Sequence, residues 1–251
     1  MTEPVQIETV DGVLRIVWNQ PDRLNGLTAD MLNDAAAAIE DKGDDVRAVF
    51  ITGTGRAFSS GAALGDGFDG AGTLDGANRL IRAITRTNVP VVSGVNGLAA
   101  GVGVSVALAA DLTVAKHSGY FLLAFVNIGL IPDGGASELV AASIGRARAN
   151  RLAMLGERLP ADQAAELGLI AFAVPDDEYD AKLDEVLQKV GAGPTLALGS
   201  MKQVITAATL PTLDATLDAE RAGQVALFGT HDAEEGGRAF LEKRPAEFLG
   251  R

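Results

Sequence analysis

Apolar and polar residues alternate from the start of the chain. Val5-Gln6-Ile7-Glu8-Thr9-Val10 and Val13-Leu14-Arg15-Ile16-Val17-Trp18 both carry the period of two expected of strands. Asp11-Gly12 between them is the two-residue signal of a hairpin. A turn-rich loop over 19–26 follows, and the period then changes. Met31, Leu32, Ala35 and Ile39 share one helical face, with Thr28 placed to cap a helix running to about Asp41. The pattern predicts a buried strand over 48–52, a long glycine-rich mobile loop over 58–76 and a basic helix over 78–86.

The stretch PVVSGVNGLAAGVGVSVALAADLTVA, residues 90–115, is the most apolar part of the chain and the richest in small residues. It reads as a β-branched strand over Val91–Val95, a turn through Asn96-Gly97, and a helix that begins after Gly101-Val102-Gly103. Such a helix start presents free N–H groups at the positive end of a dipole, which favours an anion or an oxygen that becomes one. Phe58-Ser59-Ser60-Gly61-Ala62-Ala63-Leu64 follows the strand at 48–52 in the same way. In a parallel sheet both turns open on one face, so two N–H groups can converge on one oxygen. That arrangement suits a thioester carbonyl that becomes an enolate.

Two rival readings of the turn fit less well. A dinucleotide fingerprint needs a third glycine where Val106 stands. A nucleophile elbow at Gly103-Val104-Ser105-Val106-Ala107 needs a base, and the two histidines, His117 and His231, are badly placed to supply one.

Thr113 falls in a further strand, and a Gly/Pro-rich turn over 129–135 leads into helical patterns. Strand and helix alternate through the first 175 or so residues, which predicts an α/β fold with a mainly parallel sheet. After Gly191-Ala192-Gly193-Pro194 only helical patterns remain, broken at Pro211 and at Thr230-His231. The expected division is a core over 1–194 and a helical segment over 195–251, too small to hold its own core and packed on the main body or a neighbouring subunit. No internal repeat is visible.

Composition narrows the function. The chain has 251 residues, 47% of them hydrophobic, and 30 glycines, enough for a sizeable core with many tight turns. A net charge of −12 argues against broad binding to nucleic acid or anionic membranes. With no cysteine, disulfides, thiolate metal sites and a cysteine nucleophile are excluded. The N-terminal stretch has no signal-peptide pattern and no run is apolar enough to span a bilayer, so a cytoplasmic protein is expected.

Four ordered motifs resemble those of the crotonase, or enoyl-CoA hydratase/isomerase, superfamily, and together they cover nearly the whole chain. Arg56-Ala57-Phe58-Ser59-Ser60-Gly61-Ala62 resembles its F-[SCA]-[SA]-G-A-D turn, and residues 96–111 resemble its NG-x-A-x-G-G-G-x-x-L-A-x-x-C-D stretch. Residues 127–135, NIGLIPDGG, resemble its LG-x-x-P-x-x-G-G segment, and residues 240–248, FLEKRPAEF, its A-F-x-E-K-R-x-P-x-F tail. The resemblance implies a crotonase-like spiral of ββα units with a helical C-terminal segment. It also implies a homotrimer or dimer of trimers, and acyl-CoA thioesters as substrates, with coenzyme A part of the substrate and no separate cofactor or metal. By that resemblance the amides of Ala62 and Val102 form an oxyanion hole. Arg23, Leu24, Ser60, Gly61, Leu64 and Gly101 line the substrate and coenzyme A channel, and Phe240 and Lys243 approach the nucleotide end.

The chain departs from the hydratase pattern. Ser105 and Phe125, both counted with the substrate-binding residues, stand where the resemblance places two glutamates, and Ala63 replaces the aspartate of G-A-D. Asp133 in Ile131-Pro132-Asp133-Gly134-Gly135 is the remaining carboxylate at a position some isomerases and dehalogenases of the family use. A single carboxylate can move a proton between two carbons of an enoyl thioester, and burial among Ile, Leu and Phe would raise its pKa. The alternative for Asp133 is a turn or cap residue. Three functions follow: an isomerase using Asp133, a hydratase or lyase with an acid such as Asp66 or Asp69, or a non-catalytic acyl-CoA binding protein.

Overall fold

The computed structural model describes residues 3–65 and 69–251. β1 (Val5–Val10) and β2 (Val13–Trp18) pair antiparallel through Asp11-Gly12, both with positive φ, as the tight hairpin requires. Leu14, Ile16 and Trp18 enter the main core, whereas Val13 joins a second cluster on the opposite face of the sheet. Thr28 caps α1 (Ala29–Glu40) by accepting from the Met31 amide.

Three successive ββα units then follow. They are β3 (Ala48–Gly53), β4 (Ala57–Ser59) and α2 (Gly70–Arg86); β5 (Val91–Val95), β6 (Leu98–Ala100) and α3 (Val102–Ala109); and β7 (Leu112–Lys116), β8 (Tyr120–Leu122) and α4 (Ala136–Ile144). In each unit the first strand joins a six-stranded sheet and the second a four-stranded sheet. So the chain does contain a repeat, one of topology rather than of sequence. α5 (Arg146–Leu155), β9 (Arg158–Pro160), α6 (Ala161–Glu166) and β10 (Phe172–Val174) complete the sheets, whose orders are β1-β2-β3-β5-β7-β10 and β4-β6-β8-β9. All neighbours are parallel except β1–β2 and β8–β9.

α7 (Tyr179–Gly191) covers the second cluster with Tyr179, Leu183, Val186 and Leu187. α8 (Thr195–Thr209), α9 (Leu213–Phe228) and α10 (His231–Glu242) break where Pro211 and Thr230-His231 predict. α8 rests on α2 and α7, α9 on α2 and α4, and α10 on the 3-10 turn Ala124–Ile128. Lys202 of α8 is buried, pairing with Asp111 at 2.9 Å and donating to the Ile84 carbonyl at 2.6 Å. No described helix is long and apolar enough to cross a membrane.

The largest departure from expectation is α2, which begins at Gly70 inside the stretch expected to be a mobile loop. Glycine costs a helix about 1 kcal/mol per position, and two features offset it here. Asp69 caps the first turn by accepting from the Gly72 amide at 2.8 Å, and a Cβ on Gly76 would come within 3.2 Å of both the Leu32 Cβ and the Ala29 carbonyl oxygen of α1. The glycine is therefore what lets α1 and α2 pack closely.

Asn25 ties the first loop to the second unit. It is fully buried, accepts from the Gln20 amide at 2.9 Å, and donates to the carbonyls of Thr54 and Ala57 at 2.9 and 2.8 Å. Replacing it with alanine removes the partner of three backbone groups, the Ala57 carbonyl in a buried setting and the other two part-buried. Asn25→Ala should lower unfolding free energy by about 3 kcal/mol in urea denaturation; a loss below about 1 kcal/mol would show that the loop closes without it.

Candidate active site

Two tight turns meet at the ends of β4 and β6. Ser59 is buried and its Oγ accepts from the Gly61 amide at 3.0 Å, while the Ser60 amide donates to the Leu24 carbonyl at 2.9 Å. Leu27 donates to the Gly61 carbonyl and accepts from the Ala63 amide. The Ala62 amide between them donates to no acceptor among the described residues. At the second turn Gly101 has φ +53° and donates to the Leu122 carbonyl. Val102 is the first residue of α3, so its amide has no partner within the helix, and none outside it among the described residues. A Cβ on Gly61 would stand 3.0 Å from the Ala100 carbonyl oxygen, and one on Gly101 would stand 3.5 Å from the Gly61 Cα. The two backbones are therefore in contact.

Ala62 and Val102 both line one cavity of about 190 Å³. Its other walls are mostly apolar: Leu74 and Ala77 of α2, Leu122, Phe125 and Leu130 from the third unit, and Phe228 and Phe240 from α9 and α10. Asp133 contributes the only carboxyl group among the described lining residues. The residue is half-buried, but its Oδ1 is buried and has no hydrogen-bond partner, while Oδ2 accepts from Gln224 Nε2 at 3.0 Å. Loss of water around the carboxyl pushes its pKa up to about 7; the Gln224 hydrogen bond opposes that rise and the nearby Glu220 charge adds to it. A carboxyl poised near neutrality, facing an apolar chamber, can both accept and return a proton.

Of the residues expected at the site, Ser60, Gly61, Ala62, Leu64, Gly101, Val102, Phe125, Asp133 and Phe240 all line this cavity. Ser105 does not. It is buried behind the wall, where its hydroxyl donates to the Asp133 carbonyl at 2.7 Å. Arg23 is exposed at the end of the 3-10 turn Pro21–Arg23, and Leu24, left-handed at φ +52°, holds the Ser60 amide through its carbonyl rather than lining the chamber. Lys243 is exposed and ends α10 in a left-handed conformation, also outside the chamber. The alternative acid Asp69 is spent as the α2 cap, and Asp66 lies outside the described residues.

Sequence reasoning missed the contribution of α9. Gln224 (1% exposed) accepts from the Ile131 amide at 3.1 Å and donates to the Ile131 carbonyl at 2.9 Å. Glu220, one turn earlier and 5% exposed, accepts from the amides of Gly135 and Ser137 at 2.6 and 2.9 Å. Burial pushes the Glu220 carboxyl pKa up. In the sequence these are two polar residues four apart on a helix, and nothing in the spacing says which loop they face.

Comparison with known proteins agrees with the geometry. A family model described as enoyl-CoA hydratase/isomerase matches residues 8–251. The chain is 37% identical over 252 residues to a Rhodobacter capsulatus protein named "Probable enoyl-CoA hydratase", covering 98% of both. It is 36% identical to the 1,2-epoxyphenylacetyl-CoA isomerase of Escherichia coli K12 over the full length of both chains. A crystal structure of an enoyl-CoA hydratase from Mycobacterium avium subsp. paratuberculosis K-10 superposes with a TM-score of 0.93 at 43% identity, covering 99% of this chain and 100% of that one.

Asp133 also leaves a signature in stability. With its folded pKa raised from 3.8 to about 7, its contribution is fully present below pH 3.8 and is lost as pH rises toward 7. Asp133→Asn removes that titration. Unfolding free energies of the variant relative to wild type should therefore climb between pH 3.8 and about 7 and level off above; a difference independent of pH would place the carboxyl in water.

Proposed function

Because the chain belongs to the enoyl-CoA hydratase/isomerase family, we propose that it moves a double bond within an acyl-CoA thioester, with Asp133 as the single acid and base. The observation that carries this reading is the buried, unpartnered Oδ1 of Asp133, a residue that lines the same chamber as Ala62 and Val102. The thioester oxygen of a 3-enoyl substrate accepts from the two amides. Asp133 then takes a proton from C2, the C2–H pair delocalises into a dienolate, and the amides hold its oxygen. The same carboxyl returns the proton to C4, leaving a 2-enoyl thioester. No atom is gained or lost.

Hydration by two carboxylates is not supported. Ser105 and Phe125 stand at the expected glutamate positions, the Ser105 hydroxyl is committed to the Asp133 carbonyl, and Phe125 adds to an apolar wall. The reading carries with it the spiral of 1–194, a packing and trimerisation role for 195–251, assembly as a trimer or dimer of trimers, and a cytoplasmic location.

Spectrophotometric assay with 3-enoyl-CoA should record its conversion to the 2-enoyl isomer. Asp133→Asn should lower kcat at least ~100-fold without weakening acyl-CoA binding; undiminished activity would remove Asp133 from the mechanism, and a wild type that binds but never turns over would make the protein a binder. Val102→Pro deletes one oxyanion donor at a helix position where proline is tolerated. It should cost on the order of 100-fold in kcat with little change in melting temperature.

A further inference from the structure

The segment Ile131–Ser137 carries the candidate acid, and its polar groups are held from outside the loop. Two residues one turn apart on α9 do most of this. Gln224 takes the Ile131 amide and carbonyl and Asp133 Oδ2, and Glu220 takes the Gly135 and Ser137 amides. From α3, Ser105 takes the Asp133 carbonyl. A Cβ on Gly134 would come within 3.0 Å of the Ser105 Cβ, so the loop is pressed against α3 on its other side. Of the two side-chain oxygens of Asp133, Oδ2 is bound from the α9 side and Oδ1 is left without a partner.

We propose that Gln224 and Glu220 of α9 form a positioning clamp that fixes the rotamer of Asp133, so that Oδ1 alone gives and takes the proton. Gln224 spends both amide hydrogens and its oxygen on the loop, so it has no freedom to swing toward substrate. With Oδ2 accepting from Gln224, a proton on neutral Asp133 sits on Oδ1. Glu220 works at longer range, as a second carboxylate behind the loop. The two residues therefore pull on the acidity of Asp133 in opposite directions: the Gln224 hydrogen bond stabilises the carboxylate and the Glu220 charge disfavours it. α2 brings only the uncharged Gly70, Thr73, Leu74 and Ala77 to the chamber, and Glu138 of α4, engaged by the Thr212 amide and the Thr216 hydroxyl, adds its charge to the rise in the Glu220 pKa.

The inference rests on the isomerase reading for its kinetic consequence, but its structural content is testable without substrate. The experiment is 13C NMR titration of the Asp133 carboxyl in the free protein, together with the pH–kcat profile on 3-enoyl-CoA. Glu220→Gln should move the Asp133 pKa down, and both Gln224→Glu, which keeps the side-chain shape, and Gln224→Leu should move it up. The acidic limb of the kcat profile should move in the same directions. Gln224→Leu should lower kcat on the order of 100-fold through misplacement of the carboxyl, with KM unchanged.

Circular dichroism identifies any variant that fails to fold, and the isosteric Glu220→Gln and Gln224→Glu pair carries the test if Gln224→Leu does so. An Asp133 pKa that stays put, or moves the same way in the folded Glu220 and Gln224 variants, overturns the clamp. So does an effect confined to KM. If the pKa moves in opposite directions while wild type isomerises nothing, the clamp stands and the proposed reaction falls.

Discussion

A side chain at position 61 would press to 3.0 Å from the Ala100 carbonyl oxygen, and the site depends on that contact being made by glycine. It brings the end of β4 against the end of β6, so that Ala62 and Val102, from different ββα units, line one chamber. The Ala62 amide is left over because its neighbours are committed to Leu24, Leu27 and Ser59, and the Val102 amide because a helix starts there. Two glycines with positive φ, Gly61 and Gly101, make both turns sharp.

Around these residues the chamber walls are mostly apolar, with a single carboxyl group among the described lining residues. That choice has a thermodynamic consequence. A carboxylate taken from water into such a chamber is costly unless it is hydrogen-bonded, and here only half of it is. The native state tolerates the cost by holding the proton more tightly, which is the condition a proton shuttle needs near neutral pH. The C-terminal helices take part directly, because α9 and α10 close the chamber with Phe228 and Phe240 and α9 reaches the acid through Gln224.

Much of this was legible in the residues themselves. The Asp11-Gly12 hairpin, the Thr28 cap and the three C-terminal helices follow from local signals that tertiary packing had no reason to override. The glycines of α2 misled, because helix propensity treats glycine as a breaker whereas close packing on α1 demands it. The three-residue strands β4, β6, β8, β9 and β10 are too short to show alternation, so the second sheet and the topological repeat were hidden. At the site, motif spacing reached both turns and Asp133. It could not reach Gln224 or Glu220, whose partners lie about ninety positions away. Ser105 was found for the wrong reason, since it supports the Asp133 backbone from behind the wall.

In the proposed reaction the Asp133 carboxyl alone carries a proton from one carbon to another. That transfer is tested most directly with a 3-enoyl-CoA deuterated at C2 and turned over in ordinary water, with NMR of the product. If Asp133 acts alone, deuterium lost from C2 is recovered at C4 of the 2-enoyl product. A product carrying no deuterium at C4, or one that has gained oxygen from water, would contradict the account.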